Sequence, residues 1–348
     1  MKRRNFLMSA AVGSTAGLLS CSQPLQESRN NQNPVMDSKY KKYYEAKPGW
    51  SSPVIIESHI NGFRNKTYNP NTPTDYGEIT AEAIRCWEAG AGAIHLHNPN
   101  MMLAGEAAYD DYMKIVRPAL EKYPGMFWYS TTTNTSTQGP GASGVEHVVL
   151  LAQRTGMKLC CLDSGSANLP LSADDQGNIT GLTYFVPFDV INRQVDACNK
   201  NNLGMIWGVY EPGYLRTALQ YIKMGRSTKG STFDFYLQGD YGTLAMQPIN
   251  TCGIPPSIES LYFYLDMIEG YDLPWFISIW GEGGLDTRPL IKRVIELGGH
   301  VKTGLELHFD PNRKPTNVEL LTEVQDIAKE VGRPIARQDE VKTILGLG

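Results

Sequence analysis

Two histidines one residue apart, His95 and His97, end the apolar run AGAIHLHN at residues 91–98. Side chains at i and i+2 of a strand leave the same face, so both rings converge on one space, which suits a divalent metal. A carboxylate from a neighbouring strand end would complete a set of two imidazoles and one carboxylate. That is a ligand set of catalytic zinc, with a coordination position left open for substrate. Without such a partner the same spacing describes two core imidazoles satisfied by hydrogen bonds. What surrounds this strand decides between them.

Strand-like and helix-like segments alternate along the chain. Apolar runs at 53–60, 92–98, 126–133, 158–164, 204–211, 233–239, 274–281 and 300–308 read as strands, and each is followed by a segment of helical periodicity. Gly90, Gly156, Gly225, Gly298 and Gly332 stand where those helices should stop. The order predicts an α/β fold, a (β/α)8 TIM barrel spanning residues 51–348. A doubly wound sheet would want a Gly-rich phosphate turn after its first strand, and INGFRNKTYNPNTP, residues 60–73, carries none.

Chemistry in such a barrel sits where the strands end. The exits present His59 and Asn61, then His95 and His97, Ser130 and Thr132, and Asp163, Ser164, Ser166 and Asn168. The later strands contribute Glu211, Gln238 and Asp240, Glu282, and finally Lys302, Glu306 and His308. In a closed barrel the eighth strand lies beside the first and the first beside the second. Glu306 therefore reaches toward His95 and His97 and supplies the missing carboxylate.

Composition narrows the partners. The formal net charge of the 348 residues is −4, and no basic run follows the first few residues, which argues against nucleic acid. The first residues, MKRRNFLMSAAVGSTAGLLSCSQ, resemble a twin-arginine export signal, and Leu18-Leu19-Ser20-Cys21 resembles a lipobox with Cys21 as the lipidated mature N-terminus. The apolar stretch is about a dozen residues, short of the roughly 20 a membrane span needs. Residues 1–21 are thus expected to be a signal, 22–50 a polar tether, and the product an exported protein, lipid-anchored at a bacterial membrane facing the periplasm or exterior. The other cysteines, Cys86, Cys160, Cys161, Cys198 and Cys252, show no Cys-x-x-Cys spacing, so neither a disulfide framework nor a thiolate zinc cluster is expected.

The stretches EITAEAIRCWEAGAGAIHLHNP, STTTN and LDSGSAN, and above all the last fifty residues from GGHVKTGLELHFDPNRKPTNVELL onward, resemble the β-keto acid cleavage enzymes, a family that includes 3-keto-5-aminohexanoate cleavage enzyme. The resemblance runs from about Pro53 to the C-terminus. It implies a zinc-dependent barrel that exchanges acyl groups between a β-keto acid and acetyl-CoA. It places the zinc (or another divalent metal) on His95, His97 and Glu306, and puts Ser130 and Ser166, with Asn168 beside them, near the substrate. Such a metal would chelate the keto oxygen and carboxylate together and stabilise the enolate released when the C–C bond breaks.

The departures from that family are concentrated around the metal ligands. Pro99 stands where the family has an Arg after its His-x-His, Arg64 where it has an acid, Lys302 where it has an Arg, and Gly208 where its fifth strand has an acid. Most consequential, the Glu-Asp pair of the last strand reads Glu306-Leu307, which removes the family's base. His308, Glu282 and Asp163 are candidates to replace it. The expected substrate is a small carboxylated keto compound held by the metal and by Lys302 or Arg64. Acetyl-CoA is a doubtful co-substrate for an exported protein. A hydrolase using metal-bound water and a non-catalytic, metal-dependent binding lipoprotein are the alternatives, and a homo-oligomer is compatible with each.

Overall fold

The structure, a computed structural model, describes residues 34–133 and 142–348. The export signal, Cys21 and the first part of the expected tether lie outside the described residues. Contacts divide the chain into two units, Met1–Lys41 and Lys42–Gly348. A helix, α1 (Pro34–Tyr44), crosses that division. Residues 43–49, within the expected tether, pack in the second unit. The Arg293 guanidinium donates to the carbonyl of Ala46 (3.1 Å) and Gly49 N–H to that of Glu296 (2.9 Å).

The second unit alternates strands and helices as the sequence predicts. In order come β1 (Ile56–His59), α2 (Tyr76–Glu88), β2 (Ala93–Leu96), α3 (Gly105–Lys122), β3 (Trp128–Ser130), α4 (Glu146–Thr155) and β4 (Leu159–Asp163). A hairpin of β5 (Ala167–Ala173) and β6 (Ile179–Tyr184) then precedes α5 (Phe188–Asn201). The remainder is β7 (Gly204–Val209), α6 (Pro212–Lys223), β8 (Thr232–Gln238), α7 (Ile258–Met267), β9 (Trp275–Trp280), α8 (Arg288–Glu296), β10 (His300–Thr303), α9 (Asn317–Val331) and α10 (Val341–Ile344).

Eight of these strands form one parallel sheet in the order β3-β2-β1-β10-β9-β8-β7-β4. The sheet curls until its two edges meet, where the Cys161 thiol lies 3.8 Å from the Ser130 carbonyl, and the barrel is nearly closed. Helix ends follow local chemistry. Thr316 and Glu319 form a reciprocal capping box on α9, and Asp75 accepts from Glu78 N–H at the start of α2. The five glycines expected to stop helices all have positive φ, between 69° and 93°.

Two features depart from the simple alternation. The hairpin is an insertion after the fourth barrel strand. The eighth strand ends at Thr303, short of the expected 308, because Gly304 takes φ +133° and the next residues turn. A Cβ at Gly304 would stand 2.3 Å from the His59 carbonyl oxygen, so only glycine fits there.

Candidate functional site

The β1–β2 register pairs His59 with His95 and sets their rings side by side, centroids 4.5 Å apart, at the strand exits. Glu306 reaches them from the turn that follows Gly304. Its N–H donates to the His59 carbonyl (3.1 Å), and the preceding Leu305 N–H donates to Asn317 Oδ1 (2.8 Å). Asn317 in turn donates to the Ile60 carbonyl and to Glu82, both at 3.0 Å, tying the start of α9 to the first strand. Gly62 passes so close that an added Cβ would lie 2.7 Å from Glu306 Cγ. The carboxylate is thereby fixed: Oε2 lies 3.0 Å from His59 Nδ1 and 3.4 Å from His95 Nε2, and Oε1 lies 2.9 Å from His97 Nε2.

His59 and His95 are driven in opposite directions. Tyr129 gives its one proton to Glu57 (2.6 Å) and accepts from Lys302 (3.1 Å), so His59 Nε2, 3.0 Å away, must be the donor there. His59 Nδ1 donates to Glu306, which makes the ring an imidazolium. Burial opposes that charge, but the hydrogen bonds to Glu306 and Glu57 outweigh it and raise the His59 pKa. His95 goes the other way. Burial holds it well below the usual histidine range, and its Nδ1 is buried without a partner. For Glu306 burial opposes ionisation, but the surrounding imidazoles of His97, His95 and His59 outweigh it and hold its pKa well below the usual carboxylate range.

Beneath this centre lies an ion-pair floor. Lys302 Nζ sits 2.9 Å from Asp234 and 3.5 Å from Glu57, and Asp234 also accepts from Ser278 (2.8 Å). Burial opposes the Lys302 charge, but the two carboxylates raise its pKa above the ordinary lysine value; burial likewise opposes ionisation of Glu57, yet Lys302 and His59 bring it to about 2.

Not every residue singled out by the sequence comes to the centre. His95, His97 and Glu306 converge. Lys302 is spent on Asp234, Glu57 and Tyr129. Ser130 is buried, but it alternates with the inward-facing Tyr129, so its hydroxyl points to the helix side, where it has no partner. Ser166 accepts from Val186 N–H (2.9 Å) and Asn168 from Thr183 (2.8 Å), both as builders of the exposed hairpin. His308 pairs through Nδ1 with Glu282, and the two line a separate cavity of about 340 Å³ between α8, α9 and the outer face of β9 and β10.

Asp163, in contrast, faces inward. Its register partner is Gly208, where a Cβ would meet Asp163 Oδ1 at 2.2 Å, so the glycine makes room for the carboxyl. Tyr184 of the hairpin donates to Oδ2 (2.8 Å) while Oδ1 is buried without a partner. Burial, reinforced by Asp234 and Glu306, pushes its pKa up to about 7 against the Tyr184 hydrogen bond. Leu307 packs in an apolar cluster with Tyr210, Tyr214, Tyr236 and Trp280. Arg64 is buried between the rings of Phe309 and Tyr68, at 4.6 and 5.4 Å.

His59, expected only at a strand exit, joins the donors here. Parallel pairing of the first two strands is the sequence signal that points to it. His59, His95 and Glu306 each offer one ligand atom, all within 4.8 Å of one another, with His97 on the other carboxylate oxygen. A neutral imidazole with a free nitrogen beside a buried, ionised carboxylate fits a divalent metal ion.

Known proteins agree with this architecture. The chain is 25% identical over 306 residues to a 3-oxoadipate:acetyl-CoA acetyltransferase of Cupriavidus necator, covering 85% of this chain and 96% of that one. It is 26% identical to a 3-keto-5-aminohexanoate cleavage enzyme of Fusobacterium nucleatum, with 84% and 98% covered. Among solved structures, the ternary complex of ObcA with a C4-CoA adduct and oxalate superposes with TM-score 0.56 at 16% identity, covering 80% of this chain and 68% of that one, which speaks for the fold. The sequence pattern of the beta-keto acid cleavage enzymes matches residues 53–347, nearly the whole barrel, and the chain belongs to that family.

Proposed function

We propose that this protein is a metal-dependent enzyme that cleaves the C–C bond of a small β-keto acid and transfers the acyl fragment. The observation that carries the reading is the convergence of His95, His97 and His59 on the buried Glu306 at the strand exits. His95, His97 and Glu306 would hold the ion, zinc by default, while His59 donates from both nitrogens, to Glu306 and to Tyr129. When bound, the ion would polarise the keto oxygen and stabilise the enolate left by bond cleavage. His59 holds Glu306 from the first strand, and the Lys302–Glu57–Asp234 floor holds Tyr129, the other partner of His59.

Asp163 is the group we assign to proton transfer. Leu307 cannot take the role, and His308 and Glu282 face another cavity. Asp163 carries a free oxygen, turns inward at the strand exit, and titrates near neutrality. Tyr210, Tyr236, Trp280 and Leu307 exclude water from its surroundings, which suits an enolate intermediate.

Products measured from β-keto acids with and without acetyl-CoA test the reading. Acetoacetate and a new acyl-CoA formed only with acetyl-CoA support acyl transfer to CoA, acetate and the free acid of the acyl fragment formed without it support water as acceptor, and ligand binding with no turnover by metal-loaded protein overturns the enzyme in favour of a binding protein. We also propose export and lipidation at Cys21, supported by the Arg3-Arg4 and Leu18–Cys21 motifs. No helix among the described residues is long and apolar enough to cross a membrane. Cys21→Ala should move the protein from the membrane to the soluble fraction, and wild-type protein found wholly in the cytoplasm would refute the proposal.

A further inference from the structure

Five exposed lysines, Lys158, Lys200, Lys223, Lys229 and Lys342, stand at the end of the barrel where the strands begin, opposite the Glu306 centre. Lys158 precedes β4, Lys200 lies in the last turn of α5 ahead of β7, and Lys223 and Lys229 lie between the end of α6 and the start of β8. Because β4, β7 and β8 are neighbours in the sheet, these four form one arc. The C-terminal segment carries Lys342 onto it. Lys342 Nζ lies over the Phe127 ring at 5.6 Å, just ahead of β3, and Leu347 packs so closely on Gly230 that an added Cβ would meet it at 2.2 Å. No basic run in the sequence announces this arc; folding gathers it.

Among the described residues none of the five forms an ion pair. The acids around them are largely neutralised already, Glu88 by Lys122, Asp196 by Arg226, and Asp339 with Glu340 by Arg337. Helix dipoles account for Lys200 and Lys223, which sit in the last turns of α5 and α6. Lys158 and Lys229 lie past the helix ends and serve no such role. Beside them Met224 is 69% exposed, an apolar side chain between Lys223 and Arg226. Lys229 also borders a cleft of about 860 Å³ lined by Trp50 and Tyr271. Free lysines, a protruding apolar side chain and amphipathic rings on one face suit the headgroup layer of a membrane.

We propose that this face docks on an anionic phospholipid surface, with Met224 at the headgroup boundary and the Glu306 centre turned to the aqueous side. The path of the chain favours a membrane over other polyanions. Residues 43–49 pack against the end of α8 at this same end of the barrel, so the tether joins here. That supporting argument rests on the lipidation reading, whereas the charge arrangement does not. Each lysine brought to an anionic surface strengthens binding about fivefold, and salt screens the attraction beyond about 8 Å at physiological ionic strength. The face therefore orients an anchored protein and holds an unanchored one weakly.

Vesicle flotation of the full-length Cys21→Ala protein, which has no lipid to mask the effect, tests the face. At low salt, vesicles of phosphatidylglycerol in phosphatidylcholine should bind it about tenfold or more tighter than pure phosphatidylcholine, and physiological salt should release it. Lys158→Gln, Lys223→Gln and Lys229→Gln together should lower that affinity about 100-fold. Lys66→Gln, Arg313→Gln and Lys314→Gln together remove the same charge from the exit end and should leave it within about threefold. Both triple variants share the N-terminus, so its contribution cancels, and thermal melts verify that they fold. Equal losses in the two, or equal binding to the two kinds of vesicle, overturn the proposal. So does binding to duplex DNA that only the first triple variant loses, without binding to vesicles. Vesicle binding as expected, with wild-type protein wholly in the cytoplasm, sinks lipidation and supports the face. No vesicle binding, with wild-type protein in the membrane fraction, overturns the face and leaves lipidation standing.

Discussion

Arg333 and Arg64 are buried at opposite ends of the same barrel, and their surroundings have been completed to different degrees. At the entry ends of the strands Arg333 saturates backbone carbonyls on both sides of the β1–β10 seam, and His300 nearby accepts from Ile55 N–H (2.9 Å). At the exit ends Arg64, His95, Asp163, Trp280 and His308 each keep a buried polar atom without a partner. Arg333 spends its donors on stability, while these exit-end groups keep capacity free. In a (β/α)8 barrel that division follows from where the loops converge, and here it can be read atom by atom.

Substitutions at the two ends should therefore fail in different ways. The largest effect belongs to the metal centre. His95→Ala combined with His97→Ala should take bound divalent metal from about one per chain to none by elemental analysis, and cleavage to background. A double variant that still holds stoichiometric metal would break the assignment.

Asp163→Asn comes next, with a rate loss of about 10²–10⁴-fold expected for a missing proton-transfer group. As a base, Asp163 should make the wild-type rate rise as pH passes about 7, and that inflection should vanish in the variant. Stability supplies an independent readout. The folded pKa lies above the unfolded 3.8, so the contribution of Asp163 is complete below that value and gone once pH passes about 7. Urea unfolding should show the wild type losing stability relative to Asp163→Asn across that window, and parallel curves would refute the raised pKa.

The entry end answers differently. Arg333→Gln should cost about 3 kcal/mol or more in urea unfolding, because several buried carbonyls lose their donor. Metal bound per folded molecule should stay the same. Arg64→Gln should cost no more than about 1 kcal/mol, since little is paired there. Equal losses at the two arginines would erase the contrast. Between these falls Gly208→Ala, whose methyl would collide with Asp163. A stability loss of about 1–3 kcal/mol is expected, with the near-neutral pH inflection displaced or lost.

Much of this was legible in the sequence because it depends on short-range patterns. Alternating apolar runs and helix-stopping glycines locate the barrel, and the His-x-His spacing with a carboxylate on the last strand locates the centre. What escaped depends on backbone departures from regular structure. The turn at Gly304 removes Glu306 and Leu307 from strand alternation, so the alternation rule that would have turned Leu307 away does not apply, and the residue joins the apolar cluster. The hairpin was hidden because β6 buries no residue and the pair adds no unit to the β-α alternation, although Asp174 to Asn178, with Gly177 at φ +82°, spells a turn between the two strands. Nothing local distinguishes Arg333 from Arg64. Only the carbonyls brought to one and withheld from the other tell them apart.

The Asn317 clamp sets an order of events during folding. His59 and Glu306 are 247 residues apart in the chain, and Glu306 takes up its position only when the turn before α9 is fastened to the first strand through Asn317. A ribosome-bound chain with seven strands made would own both histidines of the second strand and still lack an ion site. If His95, His97 and Glu306 hold the proposed ion, its uptake would be a late event, and a bound ion would report that the last β-α unit has docked on the first.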